Sequence, residues 1–269
     1  MMRKTLICIS KIRLWILVLL LVFSGSAVWT LDSQAGSKGA ELPDYEKLTE
    51  ALNEAVKQNN GGIFSPNKMW AAVVDRQGRV VAVTKTPGQD AWPGSRVIAM
   101  QKAYTANAFS NNALALSTAN LYSAVQPGGS LYGLQHSNPI NTELAYKGPA
   151  KNFGTANDPA TRGENNIVGG VNVFGGGLAL YDPETGEVLG GLGVSGDSSC
   201  ADHVIAWRIR HALGFNRVPG GVNTGSYGGA TAPDKGDDNI IFDPESGFGH
   251  PECGFTETEV NDLPSVENF

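Results

Sequence analysis

"LGVSGDSSCADHVIAWRIRHAL", Leu192 to Leu213, sets serines, a cysteine, two aspartates and two histidines along one strand, turn and helix. A glycine-spaced apolar run ends near Ser195, Gly196 and Asp197 turn the chain, and helical periodicity follows. Ser199, three residues before Asp202, fits a capping box at the helix start. Val204, Ile205, Ile209, Ala212 and Leu213 then form a broad apolar stripe, while Arg208 and Arg210 suit exposure. A helix cap therefore accounts for Ser199 and Asp202 without any chemistry.

Catalytic readings of this stretch meet specific obstacles. A nucleophile elbow needs Gly-x-Ser-x-Gly, and around Ser195 the second glycine is misplaced. Cys200 sits in a helix first turn with His203 three residues on, a place where a thiolate is favoured, unless Cys200 is oxidised. His203 and His211 are about two helical turns apart, too far for adjacent-turn chelation, so a metal site would need His136 or His250 from distant loops. The Cys-x-x-Cys-His motif of covalent haem attachment is absent.

Working outward, "MWAAVVD", "RVVAVTK", "GLALYD" and "EVLGGLGVS" read as strands. Short "RQG" and "PETG" links join them as two antiparallel hairpins. "LPDYEKLTEALNEAVKQ" reads as a helix with Pro43 in its first turn and Leu48, Leu52, Ala55 and Val56 on one face. A second helical stretch runs over "SRVIAMQKAYTANAFSNNALALSTANLYSAV", residues 95–125, with Ser95 as its N-cap. Lys102 is the single charge on the apolar part of that helix. Either it snorkels to solvent, or its ammonium faces a pocket and neutralises a substrate carboxylate or propionate. Residues 126–166 read as a long loop, functional or packed on the surface.

The chain has 269 residues, 41% hydrophobic and 17% charged, enough for one sizeable core. Its 34 Gly and 14 Pro argue for strand, turn and ordered loop over a helix bundle. Arg3, Lys4, Lys11 and Arg13 surround the start of an apolar run, Leu14 to Phe23, and "SGSAV" follows it. That order is a secretory signal with cleavage expected after Ala27, and the run is well short of the ~20 apolar residues that span a bilayer. Export, secreted or periplasmic, with no stable membrane span after cleavage is the expectation. Cleavage removes those four cations, so the mature chain is more acidic than the formal charge of −6. Nucleic acid is then a poor partner. Only Cys200 and Cys253 remain, and in an oxidising compartment they are expected to form a disulfide.

"AAVVDRQGRVVAV", "GQDAWPGSRVIAMQKAYTA" and "GGVNVFGGGLALYDPETGEVLGGLGVSGDSSCADHVIA" resemble, in order, segments of the GlcG/HbpS-like family, the haem-binding or haem-degrading domain family. The resemblance spans roughly residues 69–213, about half the chain. It implies an α/β fold of the α+β type, one domain with an antiparallel sheet flanked by helices. It also implies assembly into homo-oligomers and binding of haem or a related tetrapyrrole. Asp75 matches the end of the family's first strand, and Gln89, Asp90 and Ala91 its Met-Asp-Gly-Ala loop. Lys102, Ala103 and Thr105 match the helix motif, Gly169 and Gly170 the double glycine, and Gly193 to Gly196 the signature turn. Asp202 matches the aspartate opening the last helix, while His203 replaces an acidic residue. The long loop and the tail beyond Leu213 depart from short family members.

The expected organisation is a signal peptide at 1–27, a linker at 28–41, the domain at 42–215 and a tail at 216–269 packed on it. Asp234, Asp237 and Asp238 in that tail read as a solvated acidic loop without EF-hand spacing. Haem binding would need an apolar slot, cations for the propionates and an axial ligand. His203 and His136 are the candidate iron ligands and Lys102 or Arg96 the propionate partners, with Asp90, Ser195 and Asp202 beside the pocket. A carrier, scavenger or sensor component is the leading expectation. The alternatives are an enzyme on this scaffold, acting on a small organic acid or degrading haem, and a partner-binding module without a small ligand.

Overall fold

The structure, a computed structural model, describes residues 40–222 and 237–267; the expected signal peptide, most of the linker and Asp234 lie outside the described residues. Four strands, β1 (Trp70–Asp75), β2 (Val80–Lys85), β3 (Gly177–Tyr181) and β4 (Val188–Ser195), form one sheet in the order β2-β1-β4-β3. All three pairings are antiparallel. The two hairpins are therefore joined edge to edge by β1 and β4, with Trp70 opposite Ser195 and Asp75 opposite Gly190.

Side chains alternate across a strand, so the sheet presents two different faces. Ala71, Val73, Leu178, Leu180, Leu192 and Val194 point to one side. There they meet α1 (Tyr45–Ala55), through Leu48 and Leu52, and α5 (Ser199–Ala212), through Ile205 and Ile209. Each fully buried leucine or isoleucine here contributes about 2 kcal/mol by removal from water. The opposite face, with Ala72, Val74 and Val83, packs on Val97, Ala99, Met100 and Ala103 of α2 (Ser95–Phe109). The result is a mixed α and β domain with helices on both sides of an antiparallel sheet.

The glycines of β4 have a steric reason. A Cβ on Gly193 would lie 1.9 Å from the Ala99 carbonyl oxygen, and one on Gly191 would lie 2.2 Å from that of Ala103. The backbone of α2 thus rests directly on β4, while Leu192 and Val194 fill the other face.

Helix starts differ from the sequence reading by one or two positions. Ser198, not Ser199, caps α5 by accepting the Ala201 N–H at 3.3 Å. Asp202 reaches back to the N–H of Asp197 at 2.9 Å, so the reciprocal arrangement survives with its residues shifted. Gly94 precedes α2 without a side-chain cap, Ser95 is the first helical residue, and the helix stops at Phe109, short of the expected 125, because Ser110 turns to extended backbone. Asp44, not Pro43, opens α1, accepting the Lys47 N–H at 2.9 Å.

The stretch 126–166 is folded back on the core. It contains the single turns α3 (Leu134–Ser137) and α4 (Thr142–Ala145), and Ala145 and Ala160 join the α2 face of the core. The tail adds Ile240 and Val260 to a cluster with Cys200 and Val204, and a last turn, α6 (Glu257–Asn261). Cys200 and Cys253 form a disulfide. Arg210, expected at the surface, is buried instead: its guanidinium makes two bonds to Asp238, at 2.6 and 2.7 Å, and stacks over the Trp207 ring. Asp238, expected in a solvated loop, is therefore an interior anion.

Candidate functional site

The signature turn is built around two carboxylates. Asp197 accepts hydrogen bonds from the N–H groups of Ile63, Phe64 and Ser198 at 2.7, 3.0 and 2.6 Å, and from Asn67 Nδ2 at 3.1 Å. It ties the loop after α1 to the start of α5. Asp202, one turn on, faces inward and receives Lys102 Nζ at 2.6 Å; the same ammonium donates to the Val194 carbonyl at 3.0 Å. Both side chains are buried. Burial pushes the Asp202 carboxyl up and the Lys102 ammonium down, and the opposite charge of each partner acts against that shift. Neither sequence reading of Lys102 is realised: it reaches neither water nor a cavity, because Asp202 takes its charge inside the protein. Ser195 is buried beside this pair at the end of β4.

Arg96 makes a second interior pair. It donates Nε to Asp158 at 2.8 Å, bonds the other carboxylate oxygen through Nη2, and donates to the Ala145 carbonyl at 2.5 Å. The Phe153 ring lies 3.9 Å from its guanidinium carbon. All these partners come from the long loop, so Arg96 anchors that excursion and has no charge to spare for a propionate. Asp90 is exposed and pairs with Lys68 at 3.1 Å. That ammonium and a backbone bond hold its carboxyl below the usual range.

His203 is enclosed. Its Nε2 lies 3.2 Å from Oδ1 of Asn239, an acceptor that places the proton on Nε2. The lone pair of Nδ1 is buried without a hydrogen-bond partner, and desolvation drives the imidazole pKa down to about 3. His136 is exposed on α3, and Tyr132, four residues earlier in the preceding turn, is 67% exposed. The candidate residues thus separate: Lys102, Asp202 and Ser195 come together, Arg96 belongs to the loop anchor, and the two proposed iron ligands lie in unlike environments, one interior and one at the surface.

Other groups carry more chemistry than their sequence context suggested. Ser199 Oγ lies 2.7 Å from Nε2 of His250, whose Nδ1 donates to the Pro251 carbonyl at 2.6 Å. A cavity of about 180 Å³ is lined by Trp70, Lys85, Gln89, Ala91, Pro93, Ala150 and Phe153. Among the described residues the buried Trp70 Nε1 has no hydrogen-bond partner, and the Lys85 ammonium, which donates to the Gly88 carbonyl, lies 6.0 Å from the Trp70 ring centroid. The "NDPA" turn could have marked Asp158 as a cap, but no local signal paired it with Arg96, or Asp238 with Arg210.

A haem in the interior does not fit these residues. Lys102 and Arg96 are committed to carboxylates, His203 faces no described cavity, and the Trp70 cavity is below the ~300 Å³ lower end for drug-sized ligands. An imidazole available at the surface is present at His136.

A small α/β protein with a four-stranded antiparallel sheet, α2 lying on its glycine strand and a short turn into α5 is the class that this geometry defines. Residues 41–209 match the model of the family described as haem degrading protein HbpS-like, and the chain belongs to that family. It is 34% identical over 135 residues to the corrinoid adenosyltransferase PduO of Citrobacter freundii, an alignment covering 50% of this chain and 29% of that protein. It is 32% identical over 166 residues to a 15.0 kDa protein encoded between dhaT and dhaS in Citrobacter freundii, covering 61% of this chain and 85% of that protein. Among solved structures, a PduOC:heme complex is 29% identical, with a TM-score of 0.43, over 65% of this chain and 94% of its own. The chain spans under a third of the length of the Citrobacter adenosyltransferase.

Proposed function

We propose that this chain is an exported tetrapyrrole-binding protein, a carrier, scavenger or sensor component that holds haem at its surface through His136. Membership of the HbpS-like haem-degrading family is the observation that carries this reading. The exposure of His136, and of Tyr132 four residues before it, supports the surface location over an interior one. The His136 imidazole would hold the iron of a bound haem, which would supply redox chemistry there. The Cys200 to Cys253 disulfide supports export, since such bonds persist in oxidising compartments. A surface haem is also compatible with a site completed by a second copy in a homo-oligomer.

Hemin titration of the purified protein tests this. A saturable Soret shift is expected, lost in His136→Ala and retained in His203→Gln. No saturable shift in the unaltered protein overturns the reading, and an unchanged spectrum in His136→Ala removes the ligand assignment.

A second reading rests on the unpartnered Trp70 Nε1. With Lys85 at the same cavity it forms a donor pair suited to a small carboxylate, binding an organic acid of a few carbons rather than a macrocycle. Calorimetry with glycolate and lactate should then show binding that is lost in Lys85→Met; no heat with either acid removes this alternative.

A further inference from the structure

Cys200, Cys253 and His250 each present a ligand atom, and these atoms all lie within 4.8 Å of one another. Two sulfurs and one imidazole nitrogen form a donor set that zinc-class cations favour. Cys200 is in the first turn of α5, Cys253 lies in the tail, and His250 precedes Cys253 by three residues. The turn that begins at Cys253 is held: Glu257 accepts the N–H of Gly254 at 2.7 Å and of Thr256 at 3.0 Å, and that of Cys253 as well. The Pro251 carbonyl can only accept, so Nδ1 of His250 carries the proton. Nε2 keeps the lone pair, at present taken by the Ser199 hydroxyl. This is the tautomer and the backbone partner that orient a ligating histidine.

We propose that these three residues form a redox-gated site for one zinc-class divalent cation, closed while the disulfide stands and opened by a dithiol reductant. Cys253 is only partly buried, whereas Cys200 is wholly inside. The thiolate of the dithiol therefore attacks the Cys253 sulfur. The sulfur–sulfur bond breaks, and Cys200 leaves as a thiolate at the positive end of α5. The second thiol of the reductant then displaces Cys253, so the dithiol ends as a disulfide and two electrons pass to the protein. After protonation the protein holds two thiols. The cation binds both as thiolates, releasing two protons, and takes Nε2 of His250 in place of the Ser199 hydroxyl. Tetrahedral zinc with Zn–S near 2.3 Å separates its sulfurs by about 3.8 Å, so the opened pair must part only modestly. The fourth position goes to water or an incoming ligand, which makes the site exchangeable.

Cobalt(II), a spectroscopic substitute for zinc, reads the site directly in the full chain with Cys8→Ser, which leaves two thiols. After reduction by a dithiol and its removal under argon, one equivalent of cobalt should develop thiolate-to-metal charge-transfer absorption that zinc abolishes. The oxidised protein should show none. His250→Ala should weaken cobalt binding by more than about tenfold. Absence of the charge-transfer band in reduced protein, or equal affinity in His250→Ala, overturns the proposal. If reduction unfolds the chain, cobalt should restore the native far-ultraviolet circular dichroism, and failure to do so overturns it equally.

Discussion

Lys102 Nζ and Asp202 Oδ2 lie 2.6 Å apart, both out of water, and join α2 to the first turn of α5 beside the end of β4. Two charges are stable there because each is the other's counterion and each makes one further hydrogen bond: Lys102 donates to the Val194 carbonyl, and Asp202 Oδ1 accepts from the Asp197 N–H.

Removing one member leaves the other charge uncompensated. Lys102→Met or Asp202→Leu alone should cost about 3–5 kcal/mol in urea unfolding, and the double variant should recover most of that loss. Additive losses in the double variant would show that the pair is not coupled.

Arg210 and Asp238 make the comparable link between α5 and the tail. In Asp238→Asn the guanidinium keeps its charge inside, with Nε already lacking a partner. Stability should fall by about 3 kcal/mol. Hydrogen exchange should accelerate first in residues 237–250, because the disulfide still retains the segment beyond. Uniform acceleration across the sheet would instead assign the pair to the global core.

The buried His203 makes stability depend on acid. Its folded pKa of about 3 lies below the usual value of 6.5, so between those pH values the unfolded chain binds more protons than the folded one. Stability should therefore fall as pH is lowered through that window, by about 3 kcal/mol from this residue between pH 7 and pH 4. Burial shifts His250 in the same direction. His203→Gln should flatten the slope of urea midpoint against pH below 6.5. An undiminished slope would mean that other groups set it.

The fold was legible where the pattern is local. Short β-branched apolar runs in "AAVVD" and "VVAVTK", short polar turns and a 3.6-residue stripe in α5 mark strands, hairpins and helix, and the family motifs run through the same segments. The roles of the charged side chains were not. Lys102 looked like a snorkelling or ligand-binding cation, Arg96 like a propionate partner and Arg210 like a surface residue. Each instead meets a carboxylate that is 100, 62 and 28 positions away, respectively.

Sequence by itself determined the order of elements, the glycine strand and the pair of cysteines, because backbone propensity, side-chain period and the redox chemistry of a residue type act over short distances. Tertiary structure alone decided which charges are neutralised inside, that His203 is sealed while His136 meets solvent, and that His250 stands beside the disulfide. A buried charge survives only beside its counterion, and no local signal in the chain states which distant residue will supply it.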